Sequence, residues 1–256
     1  MEMSKASLRT LGVLGGLGPM SSVYFYEMLT AHTRAACDQE HLNILLSSYA
    51  HTPDRTAYIL GASEDNPLPC MQEQVKRLVG AGADVIAIPC NTAHYFYSGI
   101  QHSTHVPVLN IIEETARYCK HLGIGRVGVL ATEGTVRSEA YRSVLEREGI
   151  AYLTCSESQQ KTVSEIIYGA VKQGREPDLD AFLAVADALT AQGCERIILG
   201  CTELSLLKKA YRLGPRFIDS LEVLTLCAIL ACGGVPQGFD HDMMEYAKMK
   251  EVTRCC

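Results

Sequence analysis

No apolar run in this 256-residue sequence approaches the ~18–20 residues that cross a bilayer as a helix. The opening stretch, Met1 to Thr10, lacks the apolar core of a secretory signal. Basic residues are in deficit, and the formal net charge is −6. That balance argues against nucleic acid, because neutralising phosphates needs a basic face. Metal-ligand spacing is missing as well. There is no C-x-x-C and no paired Cys/His spacing of the zinc type. Hydrophobic residues at 47% and charged residues at 20% exclude a disordered chain, which would be apolar-poor and highly charged. Cysteine, in contrast, is plentiful: there are 11. With no signal peptide, they are expected to be reduced thiols in a cytoplasmic protein.

Short β-rich runs alternate with longer amphipathic stretches. The strands are expected at Leu11–Gly16, Asn43–Tyr49, Asp84–Pro89, Val106–Leu109, Val127–Ala131, Ile150–Leu153, Arg196–Gly200 and Arg216–Ile218. Near-continuous apolar runs of this length suit strands buried on both faces of a parallel sheet. Helical periodicity marks Pro69–Gly80, Val136–Glu148 and Leu179–Gln192, with a further helix at Asp242–Glu251 in the tail. The alternation predicts an α/β fold with right-handed crossovers.

The chain also reads as two copies of one plan. Gly12-Val-Leu14 and Gly128-Val-Leu130 each open a half, and the same offset of 116 relates Gly18 to Gly134 and Ser22 to Ser138. Later, Gly82-Ala-Asp-Val-Ile-Ala-Ile-Pro-Cys90 parallels Gly193-Cys-Glu-Arg-Ile-Ile-Leu-Gly-Cys201 at an offset of 111. Each copy ends an apolar strand on a cysteine and is expected to open a helix there. Open α/β sheets bind ligands outside the carboxyl ends of their strands. Helix N-termini favour thiolates and carboxylates through free N–H groups and the helix dipole. Asn91, Thr92 and Thr202 add short polar groups at the same places. Two thiols on either side of one ligand suit proton removal from one face of a stereocentre and proton return to the other. One must be ionised and the other protonated, and mutual repulsion enforces that.

The motifs Gly12-Val-Leu-Gly-Gly-Leu-Gly-Pro19, Pro53-Asp-Arg-Thr56, Pro89-Cys-Asn-Thr-Ala-His94 and Gly200-Cys-Thr-Glu-Leu204 resemble the cofactor-independent aspartate/glutamate racemase family. The resemblance implies two Rossmann-like α/β domains with parallel sheets, related by a pseudo-two-fold axis, with the active site in the cleft between them. It implies a homodimer, an amino-acid substrate, and no pyridoxal phosphate, metal or nucleotide. The domains would comprise residues 1–115 with about 217–256, and 116–216. Cys90 and Cys201 would be the catalytic acid/bases. Asn91, Thr92 and Thr202 would hold the α-carboxylate, and Arg55 and Lys161 the side-chain carboxylate. Leu17 and Gly18 would approach the ligand through backbone. Thr132, the counterpart of Gly16 in the second half, would touch it too. The glutamate branch normally shows Asp-Ser-Gly in the first glycine loop and His after Gly-Cys-Thr. Here the loop is Gly15-Gly-Leu-Gly18 and the later residue is Glu203. That points to the aspartate or broad-specificity branch, with Glu203 as a candidate aid to one thiol.

Other readings of the paired cysteines are a related enzyme such as a maleate isomerase, a non-catalytic dicarboxylate-binding module, or a thiol redox pair. Gly123-Ile-Gly-Arg-Val-Gly128 fits G-x-G-x-x-G, but it precedes its strand. A dinucleotide fingerprint comes after one.

Overall fold

All eight expected strands form, each bound within two residues of its expectation. The computed structural model describes residues 8–254. Its first half runs β1 (Leu11–Gly15), α1 (Pro19–His32), β2 (Ile44–Ser48), α2 (Arg55–Ile59), α3 (Leu68–Gly80), β3 (Val85–Ala87), a 3-10 turn (Thr92–Phe96), α4 (Tyr97–His102), β4 (Val108–Leu109) and α5 (Ile111–His121). The second half runs β5 (Arg126–Ala131), α6 (Glu133–Arg137), α7 (Ala140–Arg147), β6 (Ala151–Thr154) and α8 (Glu157–Ser164). A π-helical segment (Glu165–Ala170) and a 3-10 turn (Val171–Gln173) come next, then α9 (Leu179–Ala191), β7 (Arg196–Gly200), α10 (Thr202–Tyr211) and β8 (Phe217–Asp219). The chain ends in α11 (Ser220–Ala231) and α12 (His241–Arg254). No helix among the described residues is long and apolar enough to cross a membrane.

Two four-stranded parallel sheets result, ordered β2-β1-β3-β4 and β6-β5-β7-β8. Their registers match the sequence repeat. Leu11 pairs with Val85 and Val127 with Arg196, which are the same residues displaced by the two offsets. Gly12 and Gly128 are equivalent in packing too. A Cβ on Gly12 would lie 2.6 Å from Ile86 Cδ1 and 3.3 Å from Leu78 Cβ. On Gly128 it would lie 2.9 Å from Ile197 Cδ1 and 3.2 Å from Leu189 Cβ. Each half therefore needs a bare backbone where its first strand meets its third helix–strand unit.

One face of each sheet shares a single core. Leu11 and Val13 of β1 and Val127 and Val129 of β5 all point into it. Between them lies α11, which is buried on nearly every side from Ser220 to Leu230. A helix apolar all round belongs in such a position. It packs on α1 and α5 of the first half and touches β7 of the second. The outer faces have cores of their own, around Met71, Val75 and Leu78 in one half and Phe182, Val185 and Leu189 in the other.

Three expectations are corrected. The stretch 136–148 is two helices, because Glu139 adopts a left-handed φ of 52° between them. Asp84–Pro89 ends its pairing at Ala87, and the chain after Cys90 forms a 3-10 turn before α4. A division after residue 216 would cut β8 from its sheet, since Phe217 to Asp219 pair with Ile197 to Leu199.

Cys119 on α5 is fully buried, and burial pushes its thiol from 9.0 up to about 12. Between those values the unfolded chain has released this proton and the native chain still holds it. Stability is therefore expected to fall as pH rises from about 9 towards 12. Urea unfolding across that window should show a shallower decline in Cys119→Ala than in the parent.

Candidate active site

In each sheet the strand order reverses beside the first strand. The loops after β1 and β3, and after β5 and β7, therefore border the crevices at the strands' carboxyl ends. These four loops supply Leu17, Cys90, Asn91 and Thr92 from one half and Thr132, Cys201, Thr202 and Glu203 from the other. All line one pocket, joined by Asp54, Arg55 and Thr56 and by Tyr168 and Lys172. The space left inside is a cavity of about 20 Å³, room for about one water.

Backbone constraints shape the first loop. Gly16 has φ 83°, and a Cβ there would lie 2.6 Å from the Tyr49 backbone, so only glycine serves. Arg55 then holds the loop. Its Nη2 donates to the Leu17 carbonyl at 2.9 Å and its Nη1 to the Pro53 carbonyl at 2.9 Å. Its Nε is buried without a partner.

Hydroxyls tie the halves together at the pocket wall. Thr92 Oγ1 lies 2.9 Å from both Thr132 Oγ1 and Thr135 Oγ1. Thr202 Oγ1 lies 3.4 Å from the Pro89 carbonyl. The Asn91 side chain is committed elsewhere: Nδ2 donates to Ser220 Oγ at 3.0 Å, and Oδ1 accepts from Tyr141 at 2.7 Å. The Asn91 side chain is thus taken up by Ser220 and Tyr141 at the start of the 3-10 turn. His94 steadies the same peptide. Its Nδ1 donates to the Cys90 carbonyl at 2.8 Å, and its Nε2 accepts from the Ile111 N–H at 3.2 Å. Burial lowers its pKa, which suits this neutral form.

The two thiols are free and buried, and their surroundings differ. Cys201 caps the N-terminus of α10 and donates to Glu203 Oε2 at 2.9 Å. Glu203 Oε1 in turn is ion-paired with Lys172. Burial drives the Cys201 thiol well above its ordinary value, the Glu203 charge adds to that, and Lys172 opposes it. Cys201 is therefore a thiol at rest. Burial works against the Lys172 ammonium, but the neighbouring Glu203 charge outweighs it and keeps it charged. Gly18 permits this pairing. A Cβ there would sit 2.9 Å from Glu203 Oε1 and 3.4 Å from Lys172 Nζ.

Lys161 is not in this pocket. It lies exposed on α8, at a surface groove with Glu165, Arg175 and Glu176. Lys172 occupies the place expected of it. In an unbroken α-helix, residues eleven apart share a face, since three turns take about 11 residues. The π-helical segment between them has wider turns and rotates the residues beyond it. It directs Tyr168 to Thr56, with Oη donating to Oγ1 at 2.9 Å, and Lys172 to Glu203. Sequence reasoning misses Tyr168 and Lys172 as pocket residues, because no local pattern marks them, whereas Asp54 and Thr56 lie in the Pro53-Asp-Arg-Thr56 motif, from which only Arg55 is given a role.

Comparison with known proteins agrees with this architecture. The chain is 28% identical over 219 residues to the broad specificity amino-acid racemase RacX of Bacillus subtilis (strain 168), covering 82% of this chain and 92% of that one. Among solved structures, the Picrophilus torridus aspartate racemase superposes with TM-score 0.76 at 29% identity, over 90% of this chain and 96% of its own. An aspartate racemase homologue from Pyrococcus horikoshii OT3 shares the fold, with TM-score 0.72 at 23% identity, over 88% of this chain and 100% of its own. The sequence model of the Asp/Glu/Hydantoin racemase family matches residues 14–228, most of the chain and all four pocket-forming loops, so the protein belongs to that family.

Proposed function

We propose that the protein racemises aspartate, glutamate or both at Cα, without a cofactor, using Cys90 and Cys201 as opposed acid/bases. The observation that carries this reading is the entry of two thiols into one pocket from equivalent loops of the two halves. The halves are taken as residues 8–121 with α11 and α12, and residues 126–219. In one direction the Cys90 thiolate takes the α-proton, and the Cys201 thiol delivers its own proton to the opposite face of Cα. The protein is left with the protons exchanged between the thiols, poised for the reverse reaction.

An α-proton is weakly acidic and a thiolate is a modest base, so the carbanion or enediolate needs strong stabilisation. Thr92, Thr132 and Thr202, with the N–H groups that begin the 3-10 turn and α10, surround the place where the α-carboxylate would lie. One such preorganised donor is worth ~3–4 kcal/mol. Lys172 and the unpartnered Arg55 Nε are the cationic groups for the side-chain carboxylate. Because the pocket is nearly filled, an entering dicarboxylate competes with Glu203 for Lys172.

Proton NMR with L-aspartate and L-glutamate in D2O, under reducing conditions and with chiral analysis of the products, tests the reading. Loss of the α-proton signal with appearance of the D-isomer is expected for at least one acid. Absence of exchange with both would remove the proposed substrates. Conversion of maleate instead would assign the pocket to isomerisation.

A further inference from the structure

Two buried side chains behind the pocket reach both thiol-bearing loops. Neither Tyr141 nor Ser220 is among the described residues that line the pocket. Tyr141 is the second residue of α7, just past the left-handed Glu139 that separates α7 from α6. It is 1% exposed and lies in the core that the two halves share. Ser220 is the first residue of α11 and is fully buried.

Their hydroxyls form one directed chain with Asn91. Tyr141 Oη donates to Asn91 Oδ1 at 2.7 Å, and Asn91 Nδ2 donates to Ser220 Oγ at 3.0 Å. Ser220 Oγ then donates to the Leu199 carbonyl at 2.7 Å. Asn91 directly follows Cys90, and Leu199 lies two residues before Cys201. The chain therefore runs from the loop of the first thiol to the strand that carries the second. Burial pushes the Tyr141 phenol up, so it stays protonated as a donor.

The Tyr141 ring makes a second connection. A Cβ on Gly200, the residue before Cys201, would lie 3.1 Å from Tyr141 Cε2. The ring thus lies against bare backbone beside Cys201, while its hydroxyl holds the residue beside Cys90. An aromatic ring with its hydroxyl is a spacer of fixed length between those two points. Its contacts are buried, so removing one member leaves a partner without its hydrogen bond. Spacing matters where two groups must address opposite faces of one atom, because a misplacement of about 1 Å can cost about a hundredfold in rate.

We propose that Tyr141 and Ser220 are positioning residues that set the spacing of Cys90 and Cys201, acting through Asn91 and the Gly200 backbone. The inference rests on the two-thiol reading of the pocket and adds the device that fixes the separation of the thiols.

The test compares Tyr141→Phe, Ser220→Ala and the double variant, each in the full chain. Tyr141→Phe keeps the ring on Gly200 and removes only the hydroxyl. Ser220→Ala removes the bridge to Leu199 with little change of volume. Racemisation of L-aspartate and L-glutamate is measured, together with the amide chemical shifts of Cys90 and Cys201. In each single variant kcat is expected to fall about ten- to a hundredfold, with KM within about twofold of the parent's. Both changes act through Asn91, so the double variant should lose little more than the larger single loss. The Cys90 amide should move in both single variants, and the Cys201 amide in Ser220→Ala. A merely structural role would lower the melting temperature and leave kcat per folded protein at the parent value. Parent-like kcat in either single variant, losses that multiply in the double variant, or an unmoved Cys90 amide would each overturn the proposal. A parent protein that racemises neither acid would sink the racemase reading alone, and the two amides would then decide whether the spacer couples the loops.

Discussion

Replacing either Cys90 or Cys201 with alanine is expected to lower racemisation at least about a thousandfold, the scale of losing an essential acid/base. In the proposed mechanism every turnover needs both thiols, one as base and the other as acid, so neither variant should keep a partial route to racemisation. The fold should survive. Both cysteines sit at the ends of strands whose pairing involves neither thiol, and the melting behaviour should stay close to the parent's. A sharper signature lies in isotope exchange. Cys90→Ala retains the base on one side of Cα and Cys201→Ala the base on the other. Any residual α-hydrogen exchange in D2O should therefore proceed without inversion, and the two variants should select opposite enantiomers. Parent-like turnover in either variant, or the same enantiomer preference in both, would rule out two opposed bases.

The scaffold was legible in the sequence because its information is local. Each strand is a short apolar run between glycines or polar turns, and each half repeats the run in the same order. The two offsets even anticipated the registers, since Leu11 opposite Val85 becomes Val127 opposite Arg196. Cys90 and Cys201 emerged from the same repetition. The site residues that depend on irregular backbone were not legible. Lys172 reaches Glu203 only because a π-helical segment intervenes after α8. Residue spacing alone gave no reason to prefer it over Lys161. The break at Glu139 was equally hidden, because a glutamate with φ of 52° leaves no mark in a hydrophobic pattern. Contacts across the two halves form a third class. Thr92 meeting Thr132 and Thr135, or Asn91 meeting Ser220 and Tyr141, joins loops far apart in sequence. The motifs and the repeat mark Asn91, Thr92 and Thr132 as ligand contacts, but nothing in the sequence pairs them with Thr135, Tyr141 or Ser220.

Glu203→Gln and Lys172→Met are expected to move the alkaline limb of the kcat/KM profile in opposite directions. In the proposed mechanism the active protein holds one proton between its two thiols, and the alkaline limb would report loss of that last proton. At rest the proton is on Cys201, which donates it to Glu203. The Glu203 charge holds the proton on, and the Lys172 charge loosens it. Glu203→Gln removes the first influence and keeps the shape, so the limb should fall to lower pH. Lys172→Met removes the second, so the limb should rise. The equilibrium constant of a racemisation is unity, which makes kcat/KM equal for the two enantiomers at every pH. The displacement must therefore appear in both directions of the reaction. The Michaelis constants should separate the same pair of variants. If, as proposed, a substrate carboxylate competes with Glu203 for Lys172, Glu203→Gln should lower KM. Lys172→Met loses the contact itself and should lower kcat/KM by about ten- to a hundredfold. A purely structural role for the ion pair would weaken both variants alike and leave the limb in place. Limbs that shift together, or not at all, would mean that the Lys172–Glu203 pair does not govern the Cys201 proton.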